Sequence, residues 1–277
     1  MSEDFFSYGT GWLEEEESDK DYQFEKTAAF AAAVNVPKVD LREYASSIHN
    51  QGRTSSCVAQ AVVSALELRN IYVIKNKGEG VQPGVNFHEL SRLHLYYVTR
   101  TVRGENYTKV DNGSYTRHAL YAMKKLGIAP EKQWPFVTSN INKRPPMRVL
   151  VTSYENKCGS FYKIKGIRGD RVKAIRAALS KGYPVVYGTR VGKNWQEYRG
   201  EAADGAVLSK PKKVIGGHAT VLVGYSDDYF IGQNSWGTRW GMDGFYYIDK
   251  ETVGDPYFTR DIWVVTTKED DLNLLGD

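Results

Sequence analysis

The apolar residues of this chain change their period partway along it, and that change limits the folds open to it. From Ser55 to Lys75 the positions Val58, Val62, Ala65, Leu66, Leu68, Ile71 and Val73 recur at mixed spacings of three and four, the mark of a largely buried helix. Residues 87–102 and 116–126 carry helical spacing as well, and the second stretch is closed by Gly127 with Pro130 beyond it, a stop signal. After a further helix expected at about 170–181 the pattern switches. YPVVYGTRV, GGHATVLVGY, YFIGQNSW, GFYYI and DIWVVTT are β-branched and aromatic runs bounded by Gly and Asp, which read as strands. A helix-rich first half and a strand-rich second half predict an α+β fold. The polar stretch 138–147, with Arg144-Pro145-Pro146, is the expected crossing between them.

The 277 residues allow one large unit or two modest lobes sharing an interface. The net charge of +4 hides an asymmetry. Residues 1–38 hold nine acids against three lysines, a charge of −6, which leaves 34 bases against 24 acids, or +10, in residues 39–277. An acidic arm precedes a basic body. The basic residues are scattered as singles and pairs such as Lys124-Lys125 and Lys212-Lys213, whereas nucleic-acid binding calls for a basic stripe interleaved with aromatics, so no nucleic-acid partner is expected. The N-terminus has acids where an export signal carries bases, and the longest small-apolar run, Ala28 to Val34, is far short of the ~20 residues of a membrane helix. A chain that is not exported by a signal peptide, in the cytoplasm or an equivalent compartment and without a membrane partner, is the expectation. Two cysteines, Cys57 and Cys158, permit at most one disulfide and fit a reducing compartment or a fold that does not depend on crosslinks.

Thr54, Ser55 and Ser56 offer caps ahead of the first long helix, so Cys57 falls in its first turn. There the unsatisfied N–H groups and the positive dipole end favour a thiolate. A lone cysteine is more often inert core. The stronger signal is in 218–234. His218 opens HATVLVGY, Asp227-Asp228 marks a turn, and Asn234 closes YFIGQN. A hairpin centred on residue 226 sets His218 opposite Asn234 across two strands, with Cβ atoms about 4.5–5.5 Å apart. The amide then holds one ring nitrogen and leaves the other to face a thiol. Of the other histidines, His49 lies two residues before Gln51 but has no orienting amide nearby in sequence. His88, His94 and His118 read as helix-face residues, and the six-residue step from His88 to His94 does not place both on one face as metal ligands. Cys158 reads as an uncrosslinked thiol at a loop or strand end, and Trp195 as packing or as part of a leaving-group side.

These residues carry a resemblance. QGRTSSC (51–57), GGHATVLVGY (216–225) and NSWGTRWGMDGFYYI (234–248) resemble the glutamine–cysteine, histidine and asparagine segments of the papain-like cysteine peptidases, in order and with similar spacing, across 39–265. The resemblance implies a two-lobed fold, with a helical lobe at about 40–140, a β-barrel-like lobe at about 145–265, and a cleft between them. It implies hydrolysis of peptide bonds with Cys57 as nucleophile, His218 as base and acid, and Asn234 as the residue that orients the ring. Gln51 and the Cys57 N–H would stabilise the oxyanion, Trp236 would shield the His–Asn pair, and neither cofactor nor metal is required. Polypeptide substrates would lie extended in the cleft. DNGSYTRHALYAMKKLG resembles the cleft's left wall. Gly113 there is either a backbone partner for a peptide or an ordinary Asn-Gly turn, and Tyr115 is either pocket lining or core. The opposite wall would involve Gly188 and Gly216-Gly217. Thr54 and Ser55 replace the family's cysteine and glycine ahead of the nucleophile and Val58 its following aromatic, which resembles the disulfide-free bacterial or viral branch. Ser55 would narrow the cleft floor.

Residues 1–38 are too short for the family's long helical prosegment. The charge asymmetry and the aromatics Phe5, Phe6, Tyr8 and Trp12 predict an arm that lies back on the body, either a short inhibitory segment removed before about Val39 or an accessory arm on the surface. An acidic tail, 266–277, follows the peptidase-like region. Two other functions stay open from sequence: a catalytically silent peptide-binding homologue, and an acyl transferase or ligase using the same thioester.

Overall fold

The computed structural model describes residues 8–33, 36–76, 89–154, 157, 159–200, 206–267 and 270. Phe5, Phe6, His88 and Cys158 lie outside them.

Helix α2 (Cys57–Asn76) is the organising element, and its residues Val58, Val62, Val63, Leu66 and Leu68 are buried. It is long and apolar enough to cross a membrane, but 78% of that apolar window is buried inside the molecule. A helix that is hydrophobic all round must be enclosed, and here the rest of the protein encloses it. On one side stand α3 (Arg92–Arg103) and α4 (Thr116–Leu126). Helix α4 matches its sequence-based limits, with Gly127 at φ +76° ending it. Helix α3 starts later than its periodicity suggests, because the Ser91 hydroxyl accepts the His94 N–H at 3.0 Å and such a cap fixes a start more firmly than an apolar repeat does. A fully buried ion pair, Arg92 Nη2 to Glu67 Oε2 at 2.7 Å, joins α3 to α2.

The second half forms an antiparallel sheet. Its strands are β4 (Phe161–Lys163), β5 (Val185–Gly192), β6 (Val214–Tyr225), β7 (Tyr229–Gln233), β8 (Phe245–Asp249) and β9 (Thr259–Val265). They are arranged in the order β4-β9-β5-β6-β7-β8, and β2 (Val39–Asp40) adds beside the end of β6. Helix α6 (Arg168–Ser180) packs on this sheet. One buried cluster runs from Val58, Val62 and Leu66 of α2 to Val185, Leu222 and Val264 of the sheet, so the helical and β halves share a core. Of the tail, Asp270 is buried and paired with Arg69 at 2.6 Å.

Two irregularities matter for the site. The β6–β7 hairpin pairs Tyr225 with Phe230, then shifts register between Leu222 and Gly224 before pairing Val221 with Gln233. The turn is therefore not centred on residue 226. Continued by one step, this register sets Thr220, not His218, across from Asn234. His218 is two residues along on the same face, because side chains alternate with period two. In β9, the pairing of Val186 with Trp263 and of Gly188 with Arg260 leaves Asp261 and Ile262 facing Tyr187. This is a β-bulge, and Asp261 in it adopts φ +49°.

Residues 8–33 do not hang free. Phe24 is fully buried, α1 (Ala28–Ala31) follows it, and β1 (Trp12–Leu13) pairs in parallel with β3 (Ser114–Tyr115).

Candidate active site

Cys57 is the first residue of α2 and fully buried. The backbone N–H groups of Ala219 and Trp12 face its thiol, which brings the Ala219 step of β6 to the sulfur, and His218 is the residue before it in that strand. His218 Nε2 lies 2.7 Å from Asn234 Oδ1, the same oxygen that accepts the Ser235 N–H at 2.8 Å. An oxygen already fixed by a backbone donor can only accept from the ring. Nε2 is therefore the protonated nitrogen, and Nδ1, which is buried and has no partner, is the free base. The expected His218–Asn234 contact is present, although a two-residue offset replaces the direct cross-strand pairing. Trp236 covers the imidazole at 4.6 Å between ring centroids, with Trp195 edge-on to it at 6.2 Å. Trp195 also packs on Trp240 and Tyr246, so it is core.

Gln51 is fully buried and held from both ends. Its Oε1 accepts the Ser235 hydroxyl at 2.6 Å, and its Nε2 donates to Thr54 O at 2.7 Å and to Gly9 O at 3.2 Å. The last contact shows what fills the groove. Trp236 Nε1 donates to the same Gly9 carbonyl at 3.0 Å, and the Tyr8 ring stacks on Trp236 at 4.7 Å and 9°. The Gly11 N–H donates to Gly217 O at 3.0 Å on the β side, and Gly11 O accepts the Ser114 N–H at 2.9 Å on the helical side. Residues 8–13 thus lie between the two halves, over the cysteine.

Both walls are shaped for close backbone approach. A Cβ on Gly113 (φ +87°) would sit 2.1 Å from Gly11 O, and one on Gly188 would sit 2.0 Å from the Trp12 ring. Gly113 is therefore a wall residue, although the hydrogen bond to the arm comes from Ser114. Gly217 supplies a carbonyl, and Gly216 faces Thr10. Ser55 lies under the arm, its Cβ so close to Gly11 that a side chain there would collide. Tyr115 pairs with Leu13 through its backbone, while its ring packs on His118 at 5.1 Å and under Arg103.

The arm's acids meet the basic body. Glu14 pairs with Arg190 and Arg260, Glu15 with Arg117 and Lys163, Asp21 with Arg117, and Asp19 with Lys165. The position of Asp261 was not legible in the sequence. It accepts the Trp12 indole N–H at 2.9 Å, the Glu15 N–H at 3.1 Å and Lys163 Nζ at 3.1 Å. Only the bulge turns it inward, and nothing in DIWVVTT signals a bulge.

Burial governs protonation. It pushes the Cys57 thiol up to about 12 and the His218 imidazole down to about 4. Both groups are thus neutral at pH 7, with the arm in place. This reverses the thiolate expected from the helix start, because desolvation under the arm outweighs the backbone N–H groups that favour the anion. His49 is half-buried 3.9 Å from Glu89 and lowered to about 4 by desolvation, and His94 accepts the Ala129 N–H at 3.5 Å. Neither competes as the base. Among the described residues no group of three His, Cys, Asp or Glu is placed to hold a metal ion.

Comparison with known proteins places the chain in a family. The model of the papain family cysteine proteases matches residues 36–260. An uncharacterised C1-like peptidase of Acanthamoeba polyphaga mimivirus is 28% identical over 225 residues, covering 78% of this chain and 68% of that protein. Papain of Carica papaya is 27% identical over 227 residues, covering 81% of this chain but 58% of the relative. Among solved structures, xylellain, a cysteine protease from Xylella fastidiosa, superposes with a TM-score of 0.76 at 26% identity, covering 94% of this chain and 96% of that one. A Carica candamarcensis cysteine protease in complex with E-64 shares the fold at a TM-score of 0.61 and 20% identity, covering 84% of this chain and 99% of that one. With the family model spanning most of its length, this chain belongs to the papain family of cysteine proteases.

Proposed function

We propose that the chain is a peptidase, held latent by its own N-terminal arm, that cleaves peptide bonds through a Cys57 thioester. The observation that carries this reading is the fixed His218–Asn234 pair with a free Nδ1, on the residue next to the Ala219 N–H that faces the helix-start cysteine. In the open enzyme, water re-enters as the arm leaves and the desolvation that keeps both groups neutral is relieved. His218 Nδ1 takes the thiol proton, the sulfur attacks the scissile carbonyl, and the oxyanion finds the Gln51 amide where Gly9 O now sits. His218 then protonates the departing amine, and water hydrolyses the acyl-enzyme. Trp236 keeps solvent from the His–Asn bond.

Three features favour latency of the arm-bound form. The Gly9 carbonyl occupies the Gln51 donor, the arm backbone at Trp12 covers the sulfur, and burial holds the thiol protonated against the pull of the N–H groups around it. The arm is thereby a first ligand of the site and polypeptide substrates are the second.

The test is hydrolysis of a diverse peptide mixture, read by mass, before and after residues 1–19 are cut away. Products that appear only after the cut and are absent in Cys57→Ala support the reading. Absence of products, together with absence of Cys57 alkylation by iodoacetamide, overturns it in favour of a silent binding homologue. Amide products in the presence of an added amine would instead identify a transferase.

A further inference from the structure

We infer that Asp261 is a specificity-determining residue, and that the pocket now filled by Trp12 is a substrate subsite selective for tryptophan. The inference rests on the peptidase reading above and names what one part of that cleft accepts. Asp261 is 3% exposed and sits on the β9 bulge at φ +49°. Bulges re-aim side chains beside functional sites, and a left-handed non-glycine residue costs free energy that a merely structural strand has no reason to carry. The side chain it aims is specific. Oδ1 is tied to Lys163 Nζ at 3.1 Å, and that ammonium is itself seated 4.6 Å over the Trp263 ring. Oδ2 receives two donors, Trp12 Nε1 at 2.9 Å and the Glu15 N–H at 3.1 Å. Both belong to the arm.

When the arm leaves, Oδ2 loses both partners while Lys163 keeps Oδ1 in place. The pocket then has a bare glycine wall at Gly188, wide enough for a flat ring, and a buried acceptor at its end. Phenylalanine or leucine can fill the volume but leaves Oδ2 unpaired, and sites built to receive a donor reject analogues that lack it. A carboxylate is repelled by Asp261. The charged groups facing Asp261 are Lys163 and, more distantly, Arg117, besides the departing Glu15. Two cations already balance one carboxylate, so a third on the substrate gains little. A large, neutral, donor-bearing ring fits best, and the indole is the one the arm uses.

The test uses the full chain with a site-specific protease sequence placed in the exposed turn at Asp19-Lys20. The folded protein is nicked and residues 1–19 are removed in high salt, leaving Phe24 seated. Peptides carry Trp, benzothienylalanine, Phe or Leu at each position in turn; benzothienylalanine has the shape of Trp with sulfur in place of the N–H. At one position kcat/KM should favour Trp over benzothienylalanine about tenfold or more. Asp261→Asn should erase that ratio. In the variant Lys163 draws the amide oxygen, so the NH2 meets the indole donor to donor. The comparison between the two rings needs no mutant and survives if the variant fails to fold. The same four peptides are also read by binding to the nicked Cys57→Ala protein. Equal kcat/KM and equal affinity for Trp and benzothienylalanine overturn the pocket assignment. Selective binding without hydrolysis in the Cys57-containing protein overturns the peptidase reading and leaves the pocket standing.

Discussion

Trp12→Ala tests how the arm is held. The indole is 6% exposed, and a tryptophan of that burial removes about 150–250 Å² from water. At ~25 cal/mol/Å² this is roughly 4–6 kcal/mol, and measured truncations of buried Trp cost about 3–5 kcal/mol. Some returns as water reaches Asp261, so about 3 kcal/mol is a conservative loss, or roughly a hundredfold in the docking equilibrium at 1.4 kcal/mol per tenfold. The remaining anchors, from Glu14 and Glu15 to Phe24, should keep the fold itself intact. The assay is the rate at which iodoacetamide alkylates Cys57 in the full chain, in a Cys158→Ser background so that one thiol is read. Alkylation requires the arm to open, so the rate should rise about a hundredfold, with far-UV circular dichroism unchanged. An unchanged rate would show that Trp12 does not control access to the cysteine, and the latency argument would fall with it.

The arm should also respond to pH. Burial, and then Asp261, raises the docked Glu15 carboxyl from 4.5 to about 7, so docking takes up a proton. Its contribution is fully present below about 4.5 and is lost as pH rises through about 7. Glu15→Gln should therefore hold the arm more firmly than wild type above pH 7, seen as a falling ratio of variant to wild-type alkylation rates between pH 5 and 8.5; a flat ratio counts against this linkage. Gln51→Ala removes the amide expected at the oxyanion and should lower kcat of the opened enzyme by roughly 10²–10³ with little change in KM. Glu67→Ala strands the fully buried Arg92 and should cost about 3–5 kcal/mol in urea denaturation.

Where the fold is local, the sequence predicts it well. Helix α4 runs over its expected 116–126 because Gly127 terminates it, and the five strand-like runs all fall in the sheet. Errors arise where one extra residue redirects a chain. The β6–β7 pairing slips by two positions from the simple hairpin because of the turn length and the irregularity near Val223, yet His218 and Asn234 still meet, since a slip of two keeps side chains on one face. The bulge at Asp261 has no such forgiveness and could not be placed at all. Acids at 14–21 pair with bases of the body, and Tyr8 and Trp12 pack against Trp236 and Asp261. The arm's effect on ionisation was not foreseen. A helix N-terminus favours a thiolate, but the arm segment that completes the burial of Cys57, residues 8–13, lies 44–49 residues away in sequence, and no local pattern reports it.

The contacts that hold the arm are made by Gly217 O, the Ser114 N–H, Gln51 Nε2 and Asp261, groups that the proposed reading also assigns to substrate. Latency and selectivity should therefore change together, and Gly188→Ala separates this view from one in which the arm is a passive cover. The added Cβ would stand 2.0 Å from the Trp12 ring, far inside contact distance, so the indole must move. The intact chain should lose arm docking, with Cys57 alkylation rising as in Trp12→Ala. The opened enzyme should lose turnover of peptides that place Trp in this pocket, while those with Ala or Val there keep theirs. A cover without a shared pocket predicts the first effect alone. If Gly188→Ala exposes the cysteine yet leaves the ranking of peptides unchanged, Trp12 and the substrate do not occupy the same place.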